Sequence, residues 1–248
     1  MTPPAAEAPV IPSHIAVIMD GNGRWARQRG LSRMMGHQKG SETVRMIKQA
    51  CLDLKVPYLT LYAFSHENWK RPKEEIDFLM NLLNRSLDQE GPALIRDEVR
   101  FATIGDLTAL SPSLQEKIAA LKIKTRDHSR MTLCLALNYG SRQEITRAVR
   151  RFFASVLKDA ADPAEIARRA GSLDEKALEA HLDTAGMPDP DLLIRTSGEM
   201  RLSNFLLWQC SYSEICISQK AWPDYSREDF MAAIGEYAKR ERRFGAVL

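Results

Sequence analysis

Ile15-Ala16-Val17-Ile18-Met19-Asp20-Gly21-Asn22-Gly23-Arg24-Trp25 joins an apolar run to a glycine turn and a basic segment, and how that turn is read decides the fold. Asp-Gly and Asn-Gly pairs are hairpin signals. A hairpin needs a return strand, but Arg24-Trp25-Ala26-Arg27-Gln28-Arg29 has no period-2 alternation, so the order strand, loop, helix fits better. In that order the glycines let the backbone take positive φ and approach a ligand, while the helix aims free N–H groups at an anion. Asp20 would repel a diphosphate there unless a divalent cation lay between them, which points to Mg²⁺.

Two familiar phosphate motifs fail on this stretch. Gly21-x-Gly23-x-x-Ala26 matches the relaxed dinucleotide fingerprint, yet Glu42, the acid at the required spacing, falls inside a helical pattern, and Asp20 would face the pyrophosphate. Gly36-His37-Gln38-Lys39-Gly40-Ser41 has lysine and glycine in the wrong order for a P-loop.

Outward from the turn, apolar strand patterns at His14 to Met19, Tyr58 to Ser65, Val99 to Gly105, Met131 to Asn138, Leu192 to Thr196 and Glu214 to Ser218 alternate with helical ones. The helical patterns cover Gly40 to Leu54, Glu74 to Gln89, Ser113 to Lys124, Ser141 to Leu157, Asp174 to Thr184 and Arg227 to Arg242, with a helical excursion between Asp159 and Asp174. This predicts an α/β fold, a single domain with a central, mostly parallel sheet of about six strands flanked by helices. Ser141-x-x-Glu144, Ser172-x-x-Glu175 and Ser226-x-x-Asp229 read as helix starts. Residues 1–12 read as a Pro/Ala-rich flexible tail and 13–248 as the catalytic domain.

Composition narrows the classes. A formal charge of +3 is too small for a nucleic-acid protein. No apolar run approaches the ~18 residues of a membrane span, and the N-terminus lacks a signal-peptide pattern, so a cytoplasmic protein is expected. Cys51, Cys134, Cys210 and Cys216 form no CxxC pair and sit mostly in apolar patterns, as buried thiols do.

In open parallel sheets ligands bind beyond the carboxyl ends of the strands. The residues there are Asp20 to Arg24; Ser65, His66, Glu67, Asn68, Trp69 and Arg71; Asn138, Tyr139 and Gly140; and Arg195, Thr196, Ser197, Gly198, Arg201 and Ser203. These are anion ligands, amides and hydroxyls with one metal-type carboxylate, and no Ser/His/Asp or Cys/His set for acyl transfer. The Arg195 to Ser203 segment has the make-up of a bidentate anion clamp, or of a surface loop with arginines paired to Asp191 or Glu199. Ser65-x-x-Asn68-Trp69 reads in isolation as a capped turn with Trp69 in the core.

Together, and in order, these segments resemble the cis-prenyltransferase family, its bacterial undecaprenyl diphosphate synthase branch in particular. The resemblance runs from His14 to Gly245. It is carried by Gly21-Asn22-Gly23-Arg24-Trp25-Ala26, Gly36-His37-x-x-Gly40, Leu59 to Ser65 with Glu67-Asn68-Trp69-x-Arg71-Pro72, Asn138-Tyr139-Gly140, Asp191 to Trp208, Trp222-Pro223-Asp224 and Arg240 to Gly245. It implies transfer of an allylic diphosphate, typically farnesyl diphosphate, onto successive isopentenyl diphosphates. Asp20 and Glu214 are then expected to serve Mg²⁺, and Gly21, Asn22, Gly23, Arg24 and Arg33 the allylic diphosphate. Arg195, Arg201 and Ser203 fall to isopentenyl diphosphate. Asn68, with Ser65 and Arg71, falls near the reacting carbons, His37 by the departing diphosphate, and Trp25 and Trp69 among the substrate-binding residues.

The resemblance further implies a homodimer, with Arg240 to Gly245 near its interface, and transient membrane-surface contact for product release. It also makes the apolar helix Glu74 to Gln89 a wall of a hydrophobic tunnel whose depth involves Leu135 and Leu137. His66, Ser197 and Met200 depart from the commonest family pattern, and none removes a charged phosphate ligand.

Overall fold

The computed structural model describes residues 10–159 and 162–240; most of the expected N-terminal tail and Arg240 to Gly245 beyond its first residue lie outside them. Six strands form one all-parallel sheet in the order β3-β4-β2-β1-β5-β6: β1 (His14–Ile18), β2 (Tyr58–Ser65), β3 (Val99–Ile104), β4 (Met131–Tyr139), β5 (Leu192–Arg195) and β6 (Glu214–Ile217). Every residue of β1 is buried, as a strand covered on both faces must be. After β1 the chain builds outward through β2, then returns to place β5 on the other side of β1. The carboxyl ends of β1 and β5 therefore form a topological switch point.

The helices are α1 (Asn22–Gln28), α2 (Arg33–Asp53), α3 (Lys73–Arg96), α4 (Pro112–Thr125), α5 (Ser141–Asp159), α6 (Pro163–Ala170), α7 (Glu175–Glu179) and α8 (Arg227–Ala238). Helix α2 starts two turns before the predicted Gly40, and α3 runs through Pro92 past the predicted end at Gln89. A proline inside a helix ordinarily breaks or kinks it. Packing overrides it, because Leu87 and Leu94 on either side are buried in the main core with Leu121 of α4. Helix α7 is shorter than Asp174 to Thr184.

Of the three expected helix starts, only Ser226 and Asp229 make a reciprocal capping box. Asp174, not Ser172, caps α7. Glu144 is fully buried and accepts from the Tyr139 hydroxyl, Gln209 and the Asp183 N–H, fastening α5 to the segment before β5. Helices α1 and α2 cross closely at Gly36, where a Cβ would collide with the Asn22 carbonyl oxygen.

Three of the four cysteines are buried and all are free. Burial pushes the Cys134 thiol up to about 12 and Cys210 up to about 11, so neither is a thiolate nucleophile at neutral pH. Among the described residues no helix is long and apolar enough to cross a membrane.

His14 at the start of β1 is 1% exposed. Its Nδ1 donates to the Pro188 carbonyl at 2.7 Å and its Nε2 accepts from the Thr60 hydroxyl at 2.8 Å, the neutral tautomer that satisfies all three groups. Burial lowers its pKa to about 4 from 6.5. The unfolded chain therefore takes up a proton below pH 6.5 that the folded chain refuses until about pH 4. Stability is lost as pH falls through that window, by about 3 kcal/mol for this group. His14→Gln is expected to be less stable at pH 7 yet to lose less between pH 6.5 and 4.5, as read from urea unfolding at both pH values.

Candidate active site

The switch point carries the first half of the site. Gly21 has φ +99°, and a Cβ there would lie 2.7 Å from the Ser197 hydroxyl, so both conformation and space require glycine. Its N–H donates to the Asp20 carboxylate at 2.7 Å. Thr196, fully buried, accepts from the Asp20 N–H at 2.9 Å and donates to the Asp20 carbonyl at 2.8 Å, tying the β1 and β5 loops together. Arg195 is 4% exposed. It donates to Asp20 at 3.0 Å, to the Ser203 hydroxyl at 2.7 Å and to the Arg201 carbonyl. Arg24 lies 3.5 Å from Asp20 and 3.1 Å from Glu199, which also holds Arg201. Positive φ at Ser197, Gly198, Ser203, Asn204 and Leu206 concentrates backbone strain in this loop.

The second half comes from α2, α3 and the turn after β2. Glu75 in the first turn of α3 is nearly buried and faces two guanidinium groups and an imidazole: Arg33 at 3.2 Å, Arg71 at 2.9 Å and His37 at 3.4 Å. Burial, then the Arg71 charge, hold the His37 pKa below the usual histidine range against the opposing pull of Glu75. The imidazole is neutral at pH 7 as a result. Asn68 accepts from the Ser65 N–H at 3.1 Å in a reciprocal box. Trp69 packs edge-on to Phe64 and donates to the Asn138 side chain at 2.8 Å, which also meets His66 at 3.2 Å.

One cavity of about 1090 Å³ joins the halves, at the upper end of the ~300–1,000 Å³ usual for ligand sites. Asp20, Gly21, Asn22, Gly23, Arg24, Arg33, His37, Ser65, Asn68, Arg71, Arg195 and Ser203 line its polar end. Val44, Leu61, Leu79, Met80, Leu82, Leu83, Leu135 and Leu137 line an apolar extension between the sheet and helices α2 and α3. Asn22 Oδ1 and Arg195 Nε are buried without a hydrogen-bond partner, a state that a polar ligand or water relieves.

Four expected site residues fall elsewhere. Trp25 donates to Asp224 at 2.7 Å and stacks under Arg29, so it fastens α1 to the 222–224 turn. Trp69 is half-buried, packed against the main core and outside the cavity lining. Arg201 is 59% exposed and turned to Glu199, outside the cavity lining. Glu214 does not reach Asp20. It opens β6 in register with Leu192 and Ile15, about 17 Å back along the strands from Asp20, and pairs with Arg240 at 2.8 Å. The strand pattern Glu214 to Ser218 already places Glu214 at the amino end of its strand, whereas Asp20, Ser65 and Arg195 close or follow theirs. Sequence reading missed Glu75, which resembles an acid complementing a helix dipole. The available signal is its 3–4 spacing with Leu79, Leu82 and Ser86, which puts it on the cavity-facing stripe.

Among the described residues no group of three or more His, Cys, Asp or Glu side chains could hold a metal. Asp20 alone still fits Mg²⁺, which is commonly held by one or two carboxylates plus substrate phosphates and water. Chemically the site offers a glycine turn, fixed guanidinium groups and a neutral imidazole at one end of an apolar slot.

The family model described as putative undecaprenyl diphosphate synthase matches residues 18–245. An isoprenyl transferase of Thermotoga maritima is 48% identical over 96% of this chain and 98% of its own. One of Agrobacterium fabrum is 48% identical over 96% and 93%. Among solved structures, a probable undecaprenyl diphosphate synthase from Campylobacter jejuni superposes with TM-score 0.76 at 37% identity, covering 95% of this chain and 99% of that one. Lavandulyl diphosphate synthase from Lavandula x intermedia, in complex with dimethylallyl diphosphate, does so with TM-score 0.87 at 35% identity over the same shares. With switch-point loops, cavity and near full-length similarity in agreement, this chain belongs to the undecaprenyl diphosphate synthase family of isoprenyl transferases and is a transferase enzyme.

Proposed function

We propose that the protein condenses farnesyl diphosphate with successive isopentenyl diphosphates, with Mg²⁺, into a long-chain cis-polyprenyl diphosphate of about eleven units, the carrier lipid for cell-wall synthesis. The observation that carries this reading is the continuity of the cavity from Asp20, Arg24 and Arg195 to the leucine-lined slot. An anionic head and a growing hydrocarbon tail require these two environments in one space. Departure of the allylic diphosphate leaves a delocalised cation, so cations and N–H donors on the leaving group lower the barrier. Gly21 to Arg24 and Arg33 bind that diphosphate. Arg195 and Ser203 hold the isopentenyl diphosphate, and Asn68 and Ser65 border the reacting carbons. Mg²⁺ held at Asp20 would supply Lewis-acid stabilisation of the departing diphosphate. His37, neutral at pH 7, is equipped to accept a proton.

The protein acts as a homodimer in this reading, supported by half-exposed Ile215 on edge strand β6. The likeness to lavandulyl diphosphate synthase favours a second reading, a short-chain synthase. Incubating the purified protein with farnesyl diphosphate, labelled isopentenyl diphosphate and Mg²⁺, then resolving products by length, separates the two. A long product must leave for a bilayer by transient surface contact. Detergent or lipid vesicles are therefore expected to raise steady-state turnover several-fold and leave a single turnover unchanged; short products with turnover indifferent to detergent would withdraw the carrier role.

In this reading Arg201 exchanges Glu199 for the isopentenyl diphosphate, and Arg201→Ala is expected to raise the KM for that substrate about tenfold with little loss of stability, the scale of one exposed charged contact. Arg195→Ala is expected to affect both KM and melting temperature, since its guanidinium is buried and holds Asp20, Ser203 and the Arg201 carbonyl. Equal effects of the two substitutions on the two substrates would show that the clamp is misassigned.

A further inference from the structure

Helices α2 and α3 both run from the carboxyl toward the amino ends of the strands, and ion pairs bridge them at two depths. The upper set is Arg33 and His37 with Glu75. The lower is Arg45 with Glu90, and both of these residues line the cavity. Arg45 lies about 18 Å below Arg33 at 1.5 Å per helical residue. An isoprene unit adds four carbon–carbon bonds, about 4–5 Å, so roughly four units reach from the upper set to the lower. A longer tail on this path has to pass Arg45 and Glu90.

The two residues are held differently. Buried Lys48 stands 3.6 Å from Glu90 and 3.9 Å from Asp97, so Glu90 keeps a cationic partner when Arg45 leaves. The Arg45 side chain is 46% exposed and also donates to Gln89 at 3.0 Å. It is the long, water-accessible member, able to exchange its partners for water at small cost. Hydrocarbon cannot replace those partners, so a tail advances only when the arginine swings out.

We propose that the Arg45–Glu90 ion pair is a gate at the deep end of the cavity, and that the ease with which Arg45 opens it sets how many five-carbon units are added. This rests on the prenyl-elongation reading above. The test compares products from farnesyl diphosphate, labelled isopentenyl diphosphate and Mg²⁺ for the wild type, Arg45→Ala, Arg45→Lys, Glu90→Gln and Ser86→Phe, each checked by thermal melting. Arg45→Ala and the near-isosteric Glu90→Gln are expected to lengthen the main product by at least one unit, whereas Arg45→Lys, which keeps the charge, stays within one unit of wild type. Ser86→Phe, one turn above Glu90, is expected to shorten it to about four units or fewer. Wild-type lengths from folded Arg45→Ala and Glu90→Gln, alongside shortening by Ser86→Phe, would overturn the gate and leave elongation standing. No prenyl product from the wild type would remove both.

Discussion

Asp20→Ala is expected to lower kcat by about 10³-fold or more, the scale of losing a central electrostatic group at a reacting diphosphate. The fold survives the change. Asp20 is a loop residue with its side chain 30% exposed, and its backbone stays tied by Thr196. What the substitution removes is the carboxylate partner of buried Arg195, which retains Ser203 and the Arg201 carbonyl. A stability loss of about 1–3 kcal/mol follows from that exposed deficit, a few degrees in Tm for a chain of this size. Asp20→Asn keeps an acceptor for the Gly21 N–H but not the charge. Its activity is therefore expected to stay near the alanine level and to lose its response to Mg²⁺ concentration. Circular dichroism melting with steady-state kinetics checks both variants, and activity within tenfold of wild type in a folded Asp20→Ala would remove Asp20 from the metal and from the reaction.

Glu75→Ala is expected to cost about 10²-fold in kcat/KM for the allylic substrate, although Glu75 lies just outside the cavity lining and acts through the groups it holds. Its carboxylate holds Arg33, His37 and Arg71 in one arrangement. Without it three groups capable of positive charge face each other, and the guanidinium groups lose their fixed aim. A purely structural role would move only the melting temperature. The distinguishing readout is pH. Glu75 is the group that raises the His37 pKa against burial and Arg71, so removing it drives that pKa further down. The acidic limb of the kcat/KM profile should then shift to lower pH in Glu75→Ala. An unchanged limb with reduced activity would show that His37 does not govern it.

The strand-end loops were legible in the sequence because binding a diphosphate leaves a dense local signature. Glycines, arginines and hydroxyls must stand within a few residues of each strand's end, as Gly21 to Arg24 and Arg195 to Ser203 do. The parallel sheet was legible for a similar reason, since buried strands such as Leu59 to Leu61 and Leu133 to Leu137 read as short apolar runs. Less legible were features fixed by contacts between distant segments. The continuation of α3 past Pro92 depends on α4, and the role of Glu75 on two guanidinium groups and an imidazole from α2 and the β2 turn. Trp25 and Trp69 show a related limit: an aromatic beside a binding motif is as useful for fastening the loop as for touching a ligand.

Asn138, the penultimate residue of β4, has φ +46°. Its side-chain oxygen receives Trp69 and meets His66, while its amide donates to the Asp106 carbonyl at 2.8 Å. The loop bearing Asp20 is clamped to Arg195 and Thr196 by several bonds across the sheet, and the 66–70 turn is held by this amide and by Asn204, which donates to Glu67 at 2.9 Å. Asn138 therefore couples the loop after β3 to the turn that carries Asn68, so one side-chain amide sets the spacing of two loops beside the cleft.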